Sequence, residues 1–223
     1  GSYGTKAIQV GANANETING ALDNDSAKSI GSQQVKSGTI APSASGVGAA
    51  SLVVTGNGQT KTVDYAAGSS AKDIAAKLNG SIGGLTAAAS TEVKLSVASG
   101  AAATPANFDL KVGNSTVSFI GVTDTASLAD QLKSNAAKLG ISVNYDESTK
   151  SLEVKSDTGE NLSFTSKAGA EAISVGAKNG SGEYDAGGLT ALSATANDKA
   201  VVTGQISLDS AKGYSVANGA TGT

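Results

Sequence analysis

Apolar and polar positions change rhythm several times along this chain of 223 residues, and the changes mark its elements. Ser2 to Val10 alternate weakly and run into the small polar stretch Gly11-Ala12-Asn13-Ala14-Asn15, which predicts a short strand entering a loop. Ser37 to Ala50 are almost wholly Gly, Ser, Ala, Thr and Pro, the composition of a linker or long surface loop. Beyond Ala50 the pattern becomes regular. Ser51-Leu52-Val53-Val54 and Lys61-Thr62-Val63-Asp64-Tyr65 flank Gly56-Asn57-Gly58, a hairpin signature. In Ser69 to Leu78, the residues Ala71, Ile74, Ala75 and Leu78 recur at helical spacing, and Asn79-Gly80 closes the helix. Two alternating segments follow, Leu85 to Ser90 and Glu92 to Val97.

The same order then returns. Phe108, Leu110 and Val112 alternate, Gly113-Asn114 turns, and Val117 and Phe119 mark the second strand. A helix is expected over Thr125 to Leu139, with Leu128, Leu132, Ala136 and Leu139 on one face and Gly140 at its end. Ile141, Val143 and Tyr145 predict a strand, Asp146 to Lys150 a turn, Leu152 and Val154 a returning strand, and Leu162 and Phe164 one more. Overlaying Ser70-Ala71-Lys72-Asp73 on Ser127-Leu128-Ala129-Asp130 gives an offset of 57 residues, 127 minus 70, which points to an internal duplication of a β-β-α-β-β module. Farther on, Ala172, Ile173 and Val175 suggest a strand, Gly187-Gly188 breaks the chain, and Val201, Val202, Ile206 and Leu208 suggest a strand pair bent at Gly204. From Ala217 a Gly/Ala/Thr tail follows, and both polar ends have the look of an insert from a longer chain. The expected fold is α+β and strand-rich, with short helices packed on antiparallel sheets. It divides into residues 1–47, 48–100, 101–168 and 169–223.

Composition removes most chemistry from this frame. The chain has no His, Cys, Met, Trp or Arg; its 16 positive charges are all Lys, against 19 acids, for a net charge of -3. Without imidazole or thiolate there is no zinc, haem, copper or iron–sulfur site built from N or S ligands. Without guanidinium and with an acidic balance, specific nucleic-acid binding is not expected. No apolar run reaches the roughly 20 residues of a membrane span. Cofactors, metals and catalytic residues are therefore not expected.

Four patterns bear on that reading. Ser69-Ser70-Ala71-Lys72 matches the S-x-x-K of serine acyl enzymes, but the S-D-N and K-T-G partners are missing, and a serine followed three residues later by Asp73 reads as a helix cap. Asp23-Asn24-Asp25 and Asp146-Glu147 lack the spacing of a calcium loop and read as Asx turns. Glu183 and Asp185 are a conceivable carboxylate pair for glycoside hydrolysis, with Tyr184 alone to grip a sugar. Six N-x-[ST] triplets, at Asn15, Asn24, Asn79, Asn114, Asn161 and Asn179, have meaning only in a glycosylating compartment.

The stretch Gln9-Val10-Gly11-Ala12-Asn13-Ala14-Asn15-Glu16-Thr17-Ile18 resembles bacterial flagellin at the point where the chain leaves the inner helical region for the variable outer domains. Gly1 to Thr5 resembles the hairpin just upstream. Asp124-Thr125-Ala126-Ser127-Leu128-Ala129-Asp130, Leu139-Gly140-Ile141-Ser142-Val143 and Ser151-Leu152-Glu153-Val154 resemble the β-α-β module of flagellins and hook-associated proteins, with a weaker copy at Ala66 to Val97. Val202 to Leu208 resembles the return toward the inner region. On this resemblance, 1–47 is the junction and linker, 48–100 and 101–168 are the two modules, and 169–223 is the return segment.

The resemblance implies an extracellular structural subunit of the flagellum, exported by the flagellar type III apparatus and partnered by other flagellin subunits, with an antigenic surface and, in some members, O-glycosylated Ser or Thr. It also implies that the terminal helices, with the surface read by the innate receptor TLR5, are absent from this chain, which should then be a soluble monomer. An adhesive or glycan-binding outer domain and a hook or hook-associated segment are the alternatives. Metalloprotease insertions known in the family need an H-E-x-x-H pair, and this chain has no His.

Overall fold

The computed structural model describes residues 6–9, 17–20, 42–178, 183–184 and 188–219. Two short strands come first, β1 (Lys6–Gln9) and β2 (Thr17–Gly20). The first copy supplies β3 (Ala50–Gly56), β4 (Gln59–Tyr65), α1 (Ala71–Leu78) and a long strand β5 (Leu85–Val97). The second supplies β6 (Ala106–Val112), β7 (Ser115–Val122), α2 (Thr125–Leu139), β8 (Ser142–Asp146), β9 (Ser151–Ser156) and β10 (Leu162–Ser166). The rest of the described chain gives β11 (Ile173–Ala177), β12 (Thr190–Ala191), β13 (Lys199–Val202), β14 (Gln205–Ser210) and β15 (Tyr214–Asn218). Short 3₁₀ turns at Ser99–Ala102 and Ala170–Ala172 lead into β6 and β11. The strand-rich α+β class read from the sequence is the class observed.

Local chemistry explains the helices and turns. Ser70 Oγ accepts from Asp73 N at 3.1 Å, and the Asp73 carboxylate accepts in return from Ser70 N, so α1 opens in a capping box. Asp124 and Ser127 do the same for α2, which ends at Gly140 with φ 68°, the left-handed cap that glycine adopts without a Cβ clash. Between β3 and β4, Asn57 and Gly58 both have positive φ, 51° and 71°, as a two-residue type I′ hairpin requires.

All strand pairings are antiparallel, and they build three sheets among the described residues. One runs β2-β15-β3-β4, a second β13-β10-β6-β7. The third runs β1-β14-β5-β11-β12, with β9 also on β5 and β8 on β9. Two separate hydrophobic clusters fill the spaces. The first core joins Leu52, Val54, Ile74, Leu78, Ile206 and Val216 from β3, α1, β14 and β15. The second joins Phe108, Phe119, Leu128, Leu132, Leu152 and Phe164 from β6, β7, α2, β9 and β10.

The structure departs from the sequence reading in three places. Leu85 to Ser90 and Glu92 to Val97 are one unbroken strand rather than two. Counting from the first strand of each copy, at Ala50 and Ala106, the second copy turns over Asp146–Lys150 where the first has Ser90-Thr91-Glu92-Val93-Lys94. The second copy's turn is held by Asp146 Oδ1 accepting from Ser148 N and by Lys150 at φ 57°. The first copy has a β-branched alternation instead, so its strand continues into the other core. Strands β13 and β14 do not pair with each other: β13 joins β10, and β14 joins β5 and β1. The strands β15 and β2, which pair with each other and, through β15, with β3, carry no clear signature. Ile120, 70% exposed, takes the outward place that the alternation of β7 gives it after Phe119, and the pairing with β6 then shifts register between Ala106 and Phe108. Gly121, at φ 69°, takes up the extra residue and returns Val122 to the core.

Candidate functional site

The S-x-x-K serines belong to the helix cap. Ser69 Oγ donates to Ala66 O at 2.7 Å, Ser70 caps α1, and Lys72 Nζ points to Glu160 Oε1 at 2.9 Å. The hydrogen bond to Glu160, and then its charge, hold the Lys72 ammonium above the usual lysine range, the opposite of what a general-base lysine needs. Asp146 accepts from the backbone and hydroxyl of Ser148, which lowers its carboxyl below the usual range and accounts for the Asp146-Glu147 cluster as a turn. Among the described residues no group of three or more His, Cys, Asp or Glu is arranged to hold a metal ion. Asp23-Asn24-Asp25, Asp185, and Val10 to Asn15 of the Gln9–Asn15 stretch lie outside the described residues, and Gln9 itself ends β1 opposite Gln205.

Tyr184 sits against the outer face of the sheet formed by β5, β9 and β11. Its backbone pairs with Lys178, and the ammonium groups of Lys94 and Lys178 lie 6.0 and 5.8 Å from the ring centre. Glu92 links this patch to β9 and β11, 2.7 Å from Lys178 Nζ and 3.5 Å from Lys155 Nζ. Burial, and then the charges of Glu153 and Glu92, push the Tyr184 phenol well up. A ring held half-buried among lysines is a poor sugar platform, which needs an open aromatic face. Asn161, one of the N-x-[ST] triplets, donates Nδ2 to Gly68 O at 3.1 Å while its Oδ1 is buried, so its amide is occupied inside the fold. Asn79 closes α1, Asn114 forms the β6–β7 turn, and Asn179 lies outside the described residues.

A polar notch of about 290 Å³ opens between the copies, lined by Ser70, Asp73, Lys111, Glu160, Asn161 and Ser163 among others. Its opposite charges are mixed, and Lys72 neutralises Glu160 at its edge, so the notch offers neither a concentrated field nor a nucleophile with a base beside it. No helix among the described residues is long and apolar enough to cross a membrane.

The model of the flagellin hook IN motif matches the chain twice, over residues 51–101 and 107–158. The first match takes in β3, β4, α1 and β5, the second β6 through β9 with α2. The whole chain also aligns with the B-type flagellin of Pseudomonas aeruginosa strain PAO1, at 42% identity over 235 residues. The chain belongs to the flagellin family. It spans about half of that relative, 47% of its length. The flagellin resemblance read from the sequence thus agrees with an alignment covering 100% of the chain and with the two module matches.

Proposed function

We propose that this chain forms the surface-exposed variable part of a flagellar filament subunit, with other flagellin subunits as its partners and the extracellular flagellum as its location. The observation that carries the reading is the alignment over the entire chain with a flagellin, together with the two hook IN matches. The structure supports it through what it offers solvent: short capped helices, antiparallel sheets and polar outer faces. The polymerising terminal helices and the TLR5-reading surface belong to other parts of the subunit, and Gln9 to Asn15 mark the junction toward them. The role is structural, in motility and as an antigenic surface, without a catalytic step.

Antibodies raised against this chain should decorate flagellar filaments along their whole length under the electron microscope. Labelling confined to the hook or to the filament tip would instead favour a hook or hook-associated protein, and no labelling at all would overturn the surface placement. The isolated chain should remain monomeric by light scattering.

A further inference from the structure

The two hydrophobic cores do not merge. Between them runs a seam whose buried side chains are polar, with Thr91, Ser156 and Thr203 at 1%, 1% and 4% exposure. Thr91 Oγ1 donates to Glu160 O at 2.7 Å, and Glu160 N donates to Ser156 Oγ at 3.2 Å. From the other side, Lys72 N donates to Gly159 O at 3.0 Å, Lys72 Nζ pairs with Glu160, and Asn161 Nδ2 reaches Gly68 O. Gln205 Oε1 is buried without a hydrogen-bond partner. These contacts are directional but weak, about 1 kcal/mol net for each hydrogen bond, and breaking them exposes little apolar surface. The chain itself crosses the seam inside β5, between Ser90 and Thr91, where the strand leaves β14 and takes up β9. It crosses again through Thr203-Gly204, between β13 and β14.

We propose that this seam is a built-in breakpoint: under partial destabilisation the first core opens as a unit, releasing β3, β4, α1, β14 and β15, while β6 to β10, α2, β11 and β13 stay folded. Three observations set the order. The first core holds fifteen buried apolar residues among those described, the second twenty-four. The helix of the first core has 8 residues and that of the second 15. The strands β14 and β15, which complete the first core, carry β1 and β2 as their partners, so that core depends on four short strands brought together from distant parts of the chain. The device is a two-step opening in which the smaller core yields and the phenylalanine-packed unit survives.

Amide hydrogen exchange of the full chain, followed by mass spectrometry across a series of low urea concentrations, tests the order. Peptides from β3, β14 and β15 should exchange roughly ten-fold faster than those from β6, β10 and α2, and with a smaller urea dependence, because their opening exposes less surface. Gly204→Ala points a methyl at Thr91 Oγ1 and Ser90 O and should speed the first set by a further factor of roughly ten while leaving the second unchanged. Lys72→Gln, which removes one cross-seam pair without touching either core, should accelerate the first set alone and more gently. Equal rates with equal urea dependence in the unsubstituted chain, or equal acceleration of both sets by either variant, would overturn the breakpoint.

Discussion

The second copy encloses three phenylalanines, with Phe108 and Phe119 stacked at 5.0 Å between ring centres and Phe164 tilted against Phe108 at 5.9 Å, whereas the first has no phenylalanine and buries Tyr65 and Tyr214 instead. The two also differ in where their strands come from. The second draws most of its core from one continuous stretch, 106–164. The first is finished by Ile206, Leu208, Tyr214 and Val216, which arrive on β14 and β15 more than a hundred residues later. One module plan can therefore be closed locally or closed at a distance. Distant closure costs more loop entropy and leaves the core dependent on the last strands of the described chain.

The largest effects should come from emptying one core and watching the other. Phe108→Ala removes a fully buried ring and should cost about 3–5 kcal/mol, with urea unfolding losing its more resistant transition. Leu208→Ala, in β14, should cost about 2–5 kcal/mol but loosen only the first core, seen as faster amide exchange in β3 and α1 with β6 unchanged. If Leu208→Ala weakened both cores alike, the contrast between them would be lost. Next in size is Gly159→Ala. With φ at 83° and a virtual Cβ meeting Ala89 Cβ, and lying 3.0 Å from Lys72 N, this glycine sits where the second copy touches α1 and β5. The substitution should lower the thermal midpoint by the equivalent of about 1–3 kcal/mol. Gly58→Ala is its control, with φ 71° but open space around it, and should show only the backbone part, about 1 kcal/mol.

These contrasts also explain what the residues revealed in advance. The helix at Thr125–Leu139, both hairpins of the second copy and α1 are legible because their signals are local: a cap, an apolar stripe, a turn residue. The unbroken β5 reads as two strands because Ser90-Thr91 interrupt its apolar positions, although Leu85, Ala87, Ala89, Val93 and Leu95 keep a single alternation and no Asx turn stands between them. Strand β15 escaped because Tyr214-Ser215-Val216 is short, sits beside a small-residue tail, and draws its meaning from pairing with β3. As for function, the family resemblance was readable in about ten residues at Gln9 and in the repeated module, whereas composition alone could only subtract chemistries. The cap pair offers a smaller test of that local legibility. Ser70→Ala and Asp124→Ala should each cost about 1 kcal/mol in chemical denaturation, the first through the first core and the second through the other.

The smallest effect at neutral pH separates the cores most selectively in alkali. Tyr214 is buried in the first core, and its phenol is pushed up to about 12, by burial first and then by the charge of Asp209; burial also raises Tyr65 in the same core. A group whose folded pKa is raised binds its proton more tightly in the native state, so its contribution is whole below the unfolded value, near 10, and is lost as pH rises toward 12. Lys72 at the seam shifts in the same direction and adds to the same loss. The buried aromatics of the second core are Phe108, Phe119 and Phe164, which do not titrate; Tyr145 packs at its margin, and the raised Tyr184 lies on its outer face. Between pH 10 and 12 the exchange protection of β3 and β15 should therefore fall before that of β6 and β10. Tyr214→Phe discards a long hydrogen bond to Leu208 O, 3.4 Å, and should change neutral stability by less than about 1 kcal/mol, while flattening the alkaline loss in the first core. If the variant lost protection over the same pH range as the unsubstituted chain, the buried phenol would not be the group that makes the first core the more alkali-sensitive one.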